Sequence, residues 1–577
     1  MKYRLLLALL LLSAIVADVH ASLSLPSEFS DHMILQRSMA VPVWGKADPG
    51  QEVTVTFAGQ AKKTSADAQG AWRLFLDPLQ TSSTPADLSI SCNGSNLTLH
   101  DVLVGEVWVA GGQSNMGFPL RGAHNAAEVL PHSDDPLLRF FAVRMTTAAE
   151  PQANVNGTWK LSTQETAKDF SAVAYFFALQ IRSKQNCPVG IIQAPWGGTP
   201  IETWMSLDGL KQEPALTNTI AKWDKAVDQY HQVVANPKLE TDYQADLKLW
   251  NKEVAPAFNA ATKAWNDDKA AGKSVGEKPK PSRPEPINPD PMAVPGPSRR
   301  PGTPSVSFNG MIAPLIPYGI RGIIWYQGEA NGGAGMEYRS LFPRLIGDWR
   351  SRWATGMGVK PEQIAFLFVQ LPANGSDSTP VAAAGWPWLR EAQLMALKLP
   401  KIGMAITLDV GDPGNVHPID KLDVGNRLAL AARKVAYGEN IVASGPLFAG
   451  ISPEGSSALS IRFTETGGGL TIGQSPWYAK GVEPWPQDKL IGFFVAGEDK
   501  KWVEAQAQIK GDSVIVSSPN VPKPVAVRYG WANSPRCNLY NKEGLPASPF
   551  RSDDWETTTS AMPSTRSASE QSTQLKH

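Results

Sequence analysis

Residues 102–116 read Val-Leu-Val-Gly-Glu-Val-Trp-Val-Ala-Gly-Gly-Gln-Ser-Asn-Met. Val102 to Ala110 is largely apolar, with β-branched and aromatic side chains, and predicts a buried strand. Gly111 and Gly112 stop it, and Ser114 follows between two amides. A serine just past the C-terminal end of a strand in an α/β sheet stands where such folds place their chemistry. Glycines there permit a sharp turn and a close approach of ligand to backbone. The same stretch also fits an ordinary strand–turn–helix with a capping serine, so the rest of the chain has to decide for a nucleophile.

Outward from this strand the pattern changes on both sides. Residues 1–21 read as a secretory signal: Lys2 and Arg4, an apolar core from Leu5 to Val16, then Val19-His20-Ala21 for cleavage. That core is shorter than the roughly 20 residues that span a bilayer, and no later run is long enough. The mature protein is therefore expected to be soluble and exported, periplasmic or extracellular, without membrane insertion. Residues 22–103 hold short alternating runs such as Val53-Thr-Val-Thr-Phe57 and Trp72-Arg-Leu-Phe-Leu76, divided by turn signals, the mark of an antiparallel β-sandwich. From 104 to 212 strands alternate with helices, and the order resumes from 305 to 440 with Ile323–Tyr326, Ile364–Val369 and Met404–Leu408. Such alternation means a parallel sheet with helices on both faces. Residues 213–304 interrupt it: a polar helical part with Trp223, Val227 and Tyr230 at helical spacing, then a Pro-rich part from Lys278 to Pro304 expected to be extended and non-compact. Alternating runs return over 441–556 as a second all-β unit, and 557–577 form a Ser/Thr-rich tail expected to be disordered.

Composition excludes several classes. Lys plus Arg and Asp plus Glu both number 54, so no global field points to nucleic acid. Cys92, Cys187 and Cys537 are scattered and lack metal-ligand spacing, so neither a disulfide framework nor a catalytic metal is expected, and no cofactor. Nineteen tryptophans suit either a core or a sugar-binding surface. The sequence carries no signal for oligomeric state.

A serine nucleophile needs a base. Of the eight histidines, only His417 lies in a Gly/Asp/Pro-rich loop, Asp409-Val-Gly-Asp-Pro-Gly-Asn-Val-His417-Pro, directly after a predicted strand. Loops at strand C-termini gather on one edge of a parallel sheet, so Ser114 and His417 can meet there. Two further strand ends carry groups for an oxyanion hole: Gly197-Gly198 offers unhindered N–H groups, and Gln327-Gly-Glu-Ala-Asn331 offers amides and a carboxylate.

Taken in order, Gly-Gln-Ser-Asn-Met (112–116), Trp-Gly-Gly-Thr-Pro-Ile-Glu-Thr-Trp (196–204), Trp-Tyr-Gln-Gly-Glu-Ala-Asn (325–331) and Val-His-Pro (416–418) resemble the sialate O-acetylesterases. These belong to the Ser-Gly-Asn-His, or GDSL-like, hydrolase superfamily, and the likeness covers most of the mature chain. It implies an α/β fold, a flavodoxin-like three-layer α/β/α sandwich with N- and C-terminal all-β accessory domains. It also implies a carbohydrate O-acetylesterase acting on O-acetylated sialic acid, with acetylxylan or another plant polysaccharide as the alternative substrate. A non-catalytic glycan-binding protein is the reading from a different class. Carried over by position, Ser114 is the nucleophile and His417 the general base. The oxyanion donors are the N–H groups of Ser114 and Gly198 with the side chain of Gln327 or Asn331. Gln113, Arg121, Glu202 and Glu329 are the expected substrate contacts, Arg121 meeting a sialate carboxylate. The superfamily often has Asp three residues before the histidine, but here that residue is Gly414. Asp412, Asp409 or a main-chain carbonyl at Gly414 or Asn415 is left to orient the imidazole, with Asp412 preferred.

Overall fold

Eighteen consecutive residues, Ser95–Gly112, form one strand, β1, that runs through two sheets. The structure, a computed structural model, describes residues 23–555 apart from 214–215, 271–272, 274, 294–300, 376–384, 474–485 and 487. The expected signal segment and the expected disordered tail lie outside the described residues. The first half of β1 pairs antiparallel with Ser82–Cys92, which in turn pairs with Glu52–Phe57. Ile34–Gln36 joins β1 in parallel at Leu103–Gly105, so the N-terminal unit is not purely antiparallel. Val41–Lys46 and Ala71–Leu76 form a separate two-stranded sheet. The division expected at 103/104 therefore cuts through a continuous strand, because the apolar run that begins the central sheet also closes the N-terminal one.

The second half of β1 is the centre of the larger sheet. Its further strands are β2 (Asp135–Ala142), β3 (Trp159–Ser162), β4 (Val189–Pro195), β5 (Gly322–Tyr326), β6 (Ala365–Val369) and β7 (Ile402–Ala405). They lie in the order β7-β6-β5-β1-β4-β2-β3. All pairs are parallel except the edge pair β2–β3. The five strands β4-β1-β5-β6-β7 have the 2-1-3-4-5 order of flavodoxin-like sheets, and β2–β3 extend one edge. β5 and β6 are buried along their whole length, as expected for strands covered on both faces.

Helices supply that cover. On one face Trp108 of β1 meets Phe177 of α1 (Ala172–Gln185) edge-on, with ring centroids 5.0 Å apart. Ser171 caps α1 by accepting the Ala174 N–H. On the other face a Cβ added at Gly111 would lie 3.4 Å from Trp349, which comes from a long helix after β5. Between β4 and β5 stand α2 (Thr217–Ala235), α3 (Lys238–Glu253) and α4 (Ala255–Ala270). The helix after β5 is α5 (Gly335–Met357); α6 (Trp386–Met395) follows β6 and α7 (Leu422–Val435) follows β7. The Pro-rich part of the insertion departs from expectation where it is described. Arg283 O accepts from Trp250 Nε1, Pro289 O accepts from Gln229 Nε2, and Met292 is buried with Trp223 and Val306. A few anchors on α2 and α3 hold it although it has no core of its own.

After α7 the chain forms two four-stranded antiparallel sheets. One contains Leu447–Glu454, Ala458–Thr464, Ser513–Ser517 and Gln506–Lys510, the other Val503–Glu504, Phe493–Ala496, Ala526–Tyr529 and Phe550–Arg551. They share a core including Ile461, Phe493, Val514 and Phe550. Arg390 of α6, fully buried, fastens this unit to the central one. Its guanidinium donates to Leu371 and Pro372 carbonyls on one side and to Ala532 and Asn533 carbonyls on the other, at 2.6–2.8 Å. Most tryptophans are structural, with Trp108, Trp204, Trp325, Trp349, Trp353 and Trp531 wholly buried. The three cysteines are buried free thiols, and no helix among the described residues is long and apolar enough to cross a membrane.

Candidate active site

Ser114 leaves β1 at the point where the sheet order reverses, beside the end of β5, the position at which open α/β sheets form their crevice. Two glycines make room for it. Gly112 has φ of 130°, and a Cβ there would sit 2.1 Å from the Tyr326 carbonyl oxygen. Gly197, just after β4, lies so close that a Cβ would stand 3.2 Å from the Ser114 Cβ. Among the described residues no hydrogen bond engages the backbone N–H of Ser114 or of Gly198.

His417 approaches from the loop after β7. Its Nε2 lies 2.7 Å from Ser114 Oγ, a contact between residues 303 apart in the chain. The loop is built from short side-chain turns: Asp412 Oδ1 accepts the Gly414 N–H at 2.8 Å, and Asn415 Oδ1 accepts the His417 N–H at 2.9 Å. Among the described residues the Asp412 carboxylate thus engages the Gly414 amide and not the imidazole, a correction to the expected orienting role. Its place two residues before a glycine favours a local turn over a reach across it. Asp409 is buried and braces the loop. Arg427 of α7 holds both its oxygens, at 2.6 and 2.7 Å, and the Tyr540 hydroxyl donates to it at 3.1 Å.

The amide candidates separate. Gln327 is fully buried; its Nε2 donates to Thr199 O and to Asn331 Oδ1, and its Oε1 accepts from Tyr338. Both amide hydrogens are therefore spent inside the protein, and Gln327 is corrected from oxyanion donor to a tie between the ends of β4 and β5. Asn331 Oδ1 also accepts the Ile201 N–H, while Nδ2 donates to Glu202 Oε2 at 3.0 Å. That leaves one Nδ2 hydrogen of Asn331 without a protein partner among the described residues.

The expected substrate contacts fare differently. Gln113 is buried, and its Oε1 accepts the N–H groups of Gly328 and Ala330. Glu329 is half-buried with its carboxylate turned inward, and it accepts from Asn115 Nδ2 at 2.5 Å; desolvation raises its carboxyl pKa against the pull of that bond and of Lys421. Both are corrected from substrate contacts to internal ties, because their side chains turn under the loops that carry them. Glu202 stays partly exposed beside Asn331. Arg121 is exposed and ion-paired with Asp169. Two residues escaped the sequence reading, Asn115 and Lys421. Lys421 donates to Asn115 Oδ1 at 2.5 Å, and burial pulls its ammonium down to about 7. Their only sequence signal was adjacency, one to Ser114 and the other to the His417 loop.

A nucleophile-and-base contact at a flavodoxin-like crevice, with glycine N–H groups beside it, is the equipment of an acyl-transfer hydrolase. Comparison with known proteins agrees. Residues 104–248 match the model of the carbohydrate esterase family described as sialic acid-specific acetylesterase. The sialate O-acetylesterases of mouse and human are each 28% identical to this chain, over 94% and 91% of it and 97% and 91% of theirs. A carbohydrate acetylesterase from Xanthomonas citri, solved by crystallography, superposes with a TM-score of 0.71 at 33% identity, covering 92% of this chain and all of that one. With sequence and fold shared from the N-terminal β unit to the C-terminal one, the chain belongs to the sialate O-acetylesterase family of carbohydrate esterases.

Proposed function

We propose that this esterase hydrolyses O-acetyl groups on carbohydrates through an acetyl-enzyme on Ser114. The 2.7 Å contact between Ser114 Oγ and His417 Nε2 is the observation that carries the reading. His417 takes the hydroxyl proton as Oγ attacks the acetyl carbonyl carbon. The Ser114 and Gly198 N–H groups, with the remaining Asn331 hydrogen, stabilise the tetrahedral oxyanion. The sugar alcohol departs with the proton from His417. Water then attacks the acetyl-enzyme, His417 accepting its proton, and acetate leaves with Ser114 restored. Ser114→Ala should lower turnover of 4-nitrophenyl acetate roughly 10⁴-fold or more, His417→Ala about as much, and the double variant little further. Near-wild-type turnover by Ser114→Ala refutes the reading, and no acetate release by the native protein favours a glycan-binding role.

The sugar is read from two sources. The mouse and human relatives support O-acetylated sialic acid as substrate. The Xanthomonas citri relative, described as a carbohydrate acetylesterase, supports a second reading, a neutral acetylated polysaccharide such as acetylxylan. Acetate release from 9-O-acetylated sialic acid compared with acetylxylan separates the two. Export, proposed from residues 2–21, is checked by N-terminal sequencing of the protein from periplasm and medium, with Ser22 expected first.

A further inference from the structure

Asn115 is wholly buried, and every hydrogen-bonding group of its side chain is used. Nδ2 donates to Glu329 Oε1 at 2.5 Å and to the Val416 carbonyl at 2.9 Å, and Oδ1 accepts from Lys421 Nζ at 2.5 Å. Asn115 follows the proposed nucleophile, and Val416 precedes the proposed base. One amide thus joins the two loops that must meet. Lys421 is also wholly buried, its Nζ 4.8 Å from the Phe118 ring centroid and 5.5 Å from that of Tyr326. A buried ammonium is costly unless it is held, and the reaction as derived gives this one nothing to do.

The chemistry of the three groups determines which way the amide lies. The Val416 carbonyl can only accept, so the NH₂ must face Val416 and Glu329, and the amide oxygen is left to accept from Lys421 Nζ. Turned over, it would set donor against donor at Lys421 and withdraw the N–H from Val416. Hydrogen bonds at both ends also polarise the amide and strengthen its bond to Val416. We infer that Lys421 is a positioning residue for the hydrolysis, acting through Asn115 to fix the Val416 carbonyl and hence the His417 ring against Ser114. The inference rests on the Ser114–His417 reading above.

The test is Lys421→Met, which keeps an apolar stem against Phe118 and Tyr326 and removes the donor, assayed on 4-nitrophenyl acetate beside Ser114→Ala. Expected is a fall in kcat of about 10²-fold, the scale of a small misplacement of a reacting group, with KM within about threefold. A folded Lys421→Met whose kcat stays within about threefold of wild type overturns the inference. Should that variant fail to fold, Lys421→Met/Glu329→Gln removes the uncompensated carboxyl while keeping an acceptor for Asn115. The same fall in kcat is expected of it, and wild-type kcat overturns the inference. Ser114→Ala distinguishes the two levels: if it retains turnover, the nucleophile assignment fails, whereas a dead Ser114→Ala beside a fully active Lys421→Met leaves that assignment standing and refutes only the role of Lys421.

Discussion

At the scale of single residues, the loop before His417 is shaped by its own turns, and this sets what its two aspartates contribute. Asp412→Asn retains an oxygen for the Gly414 N–H, so kcat should fall less than about tenfold, well short of the roughly 10⁴ that follows loss of a true orienting carboxylate. Asp409→Asn is different: it takes from the buried Arg427 the carboxylate that holds two of its nitrogens, leaving Asp423 at 3.8 Å, and should cost about 3 kcal/mol in a denaturant titration. Burial pushes Glu28 up to about 8 from an ordinary 4.5, and neither carboxyl oxygen has a hydrogen-bond partner among the described residues. The folded state holds that proton more tightly than the unfolded one, so the contribution to stability is greatest below pH 4.5 and declines as pH rises to about 8. Glu28→Gln should flatten the fall in melting temperature across that window; an unchanged slope counts against it. The strand-end positions of Ser114 and His417 are legible in the sequence because each follows an apolar run and a glycine-bearing turn. The duties of Gln327, Gln113 and Glu329 are not, since their partners Tyr338, Ala330 and Asn115 are reached only after folding has turned the side chains inward.

Among the elements, the fully apolar β5 and β6 announce a doubly covered parallel sheet, while β1 misleads by being too long. Alternation in its first half and unbroken apolarity in its second suggest two units, yet the strand runs on through Leu103-Val104, where its ladder to Ser82–Cys92 only shifts register. The Pro-rich segment misleads in the opposite sense. Low apolar content predicts a loose chain, but a segment needs only a few anchors when rigid helices present them. Trp250→Ala removes one, the indole donor to Arg283 O, and should speed proteolysis between 278 and 293 several-fold while turnover of 4-nitrophenyl acetate stays within about twofold. Equal cleavage rates in both proteins would show that this anchor does not hold the segment.

For the molecule as a whole, two buried charged groups join the units. Glu106 accepts from Gln36 and Arg37 of the N-terminal unit and from Arg321 at the start of β5, while Arg390 gathers carbonyls from the central and C-terminal units. Glu106→Gln weakens two arginine contacts at once and should bring the unfolding of all three units to a lower denaturant midpoint in a single transition; a separate early transition of the N-terminal unit would show that the joint is not cooperative. β1 has one more consequence, for how the protein is made. Its second half is flanked on one side by β4, but on the other by β5, which begins about 210 residues after Gly112. At ordinary translation rates the ribosome needs about 10 to 40 s to cover that distance. Through that interval the nascent chain carries an apolar, unpaired edge in its middle, the kind of surface that recruits other chains. The insertion between β4 and β5 lengthens the wait, so chaperone occupancy during synthesis should peak after β4 emerges and fall once β5 has docked.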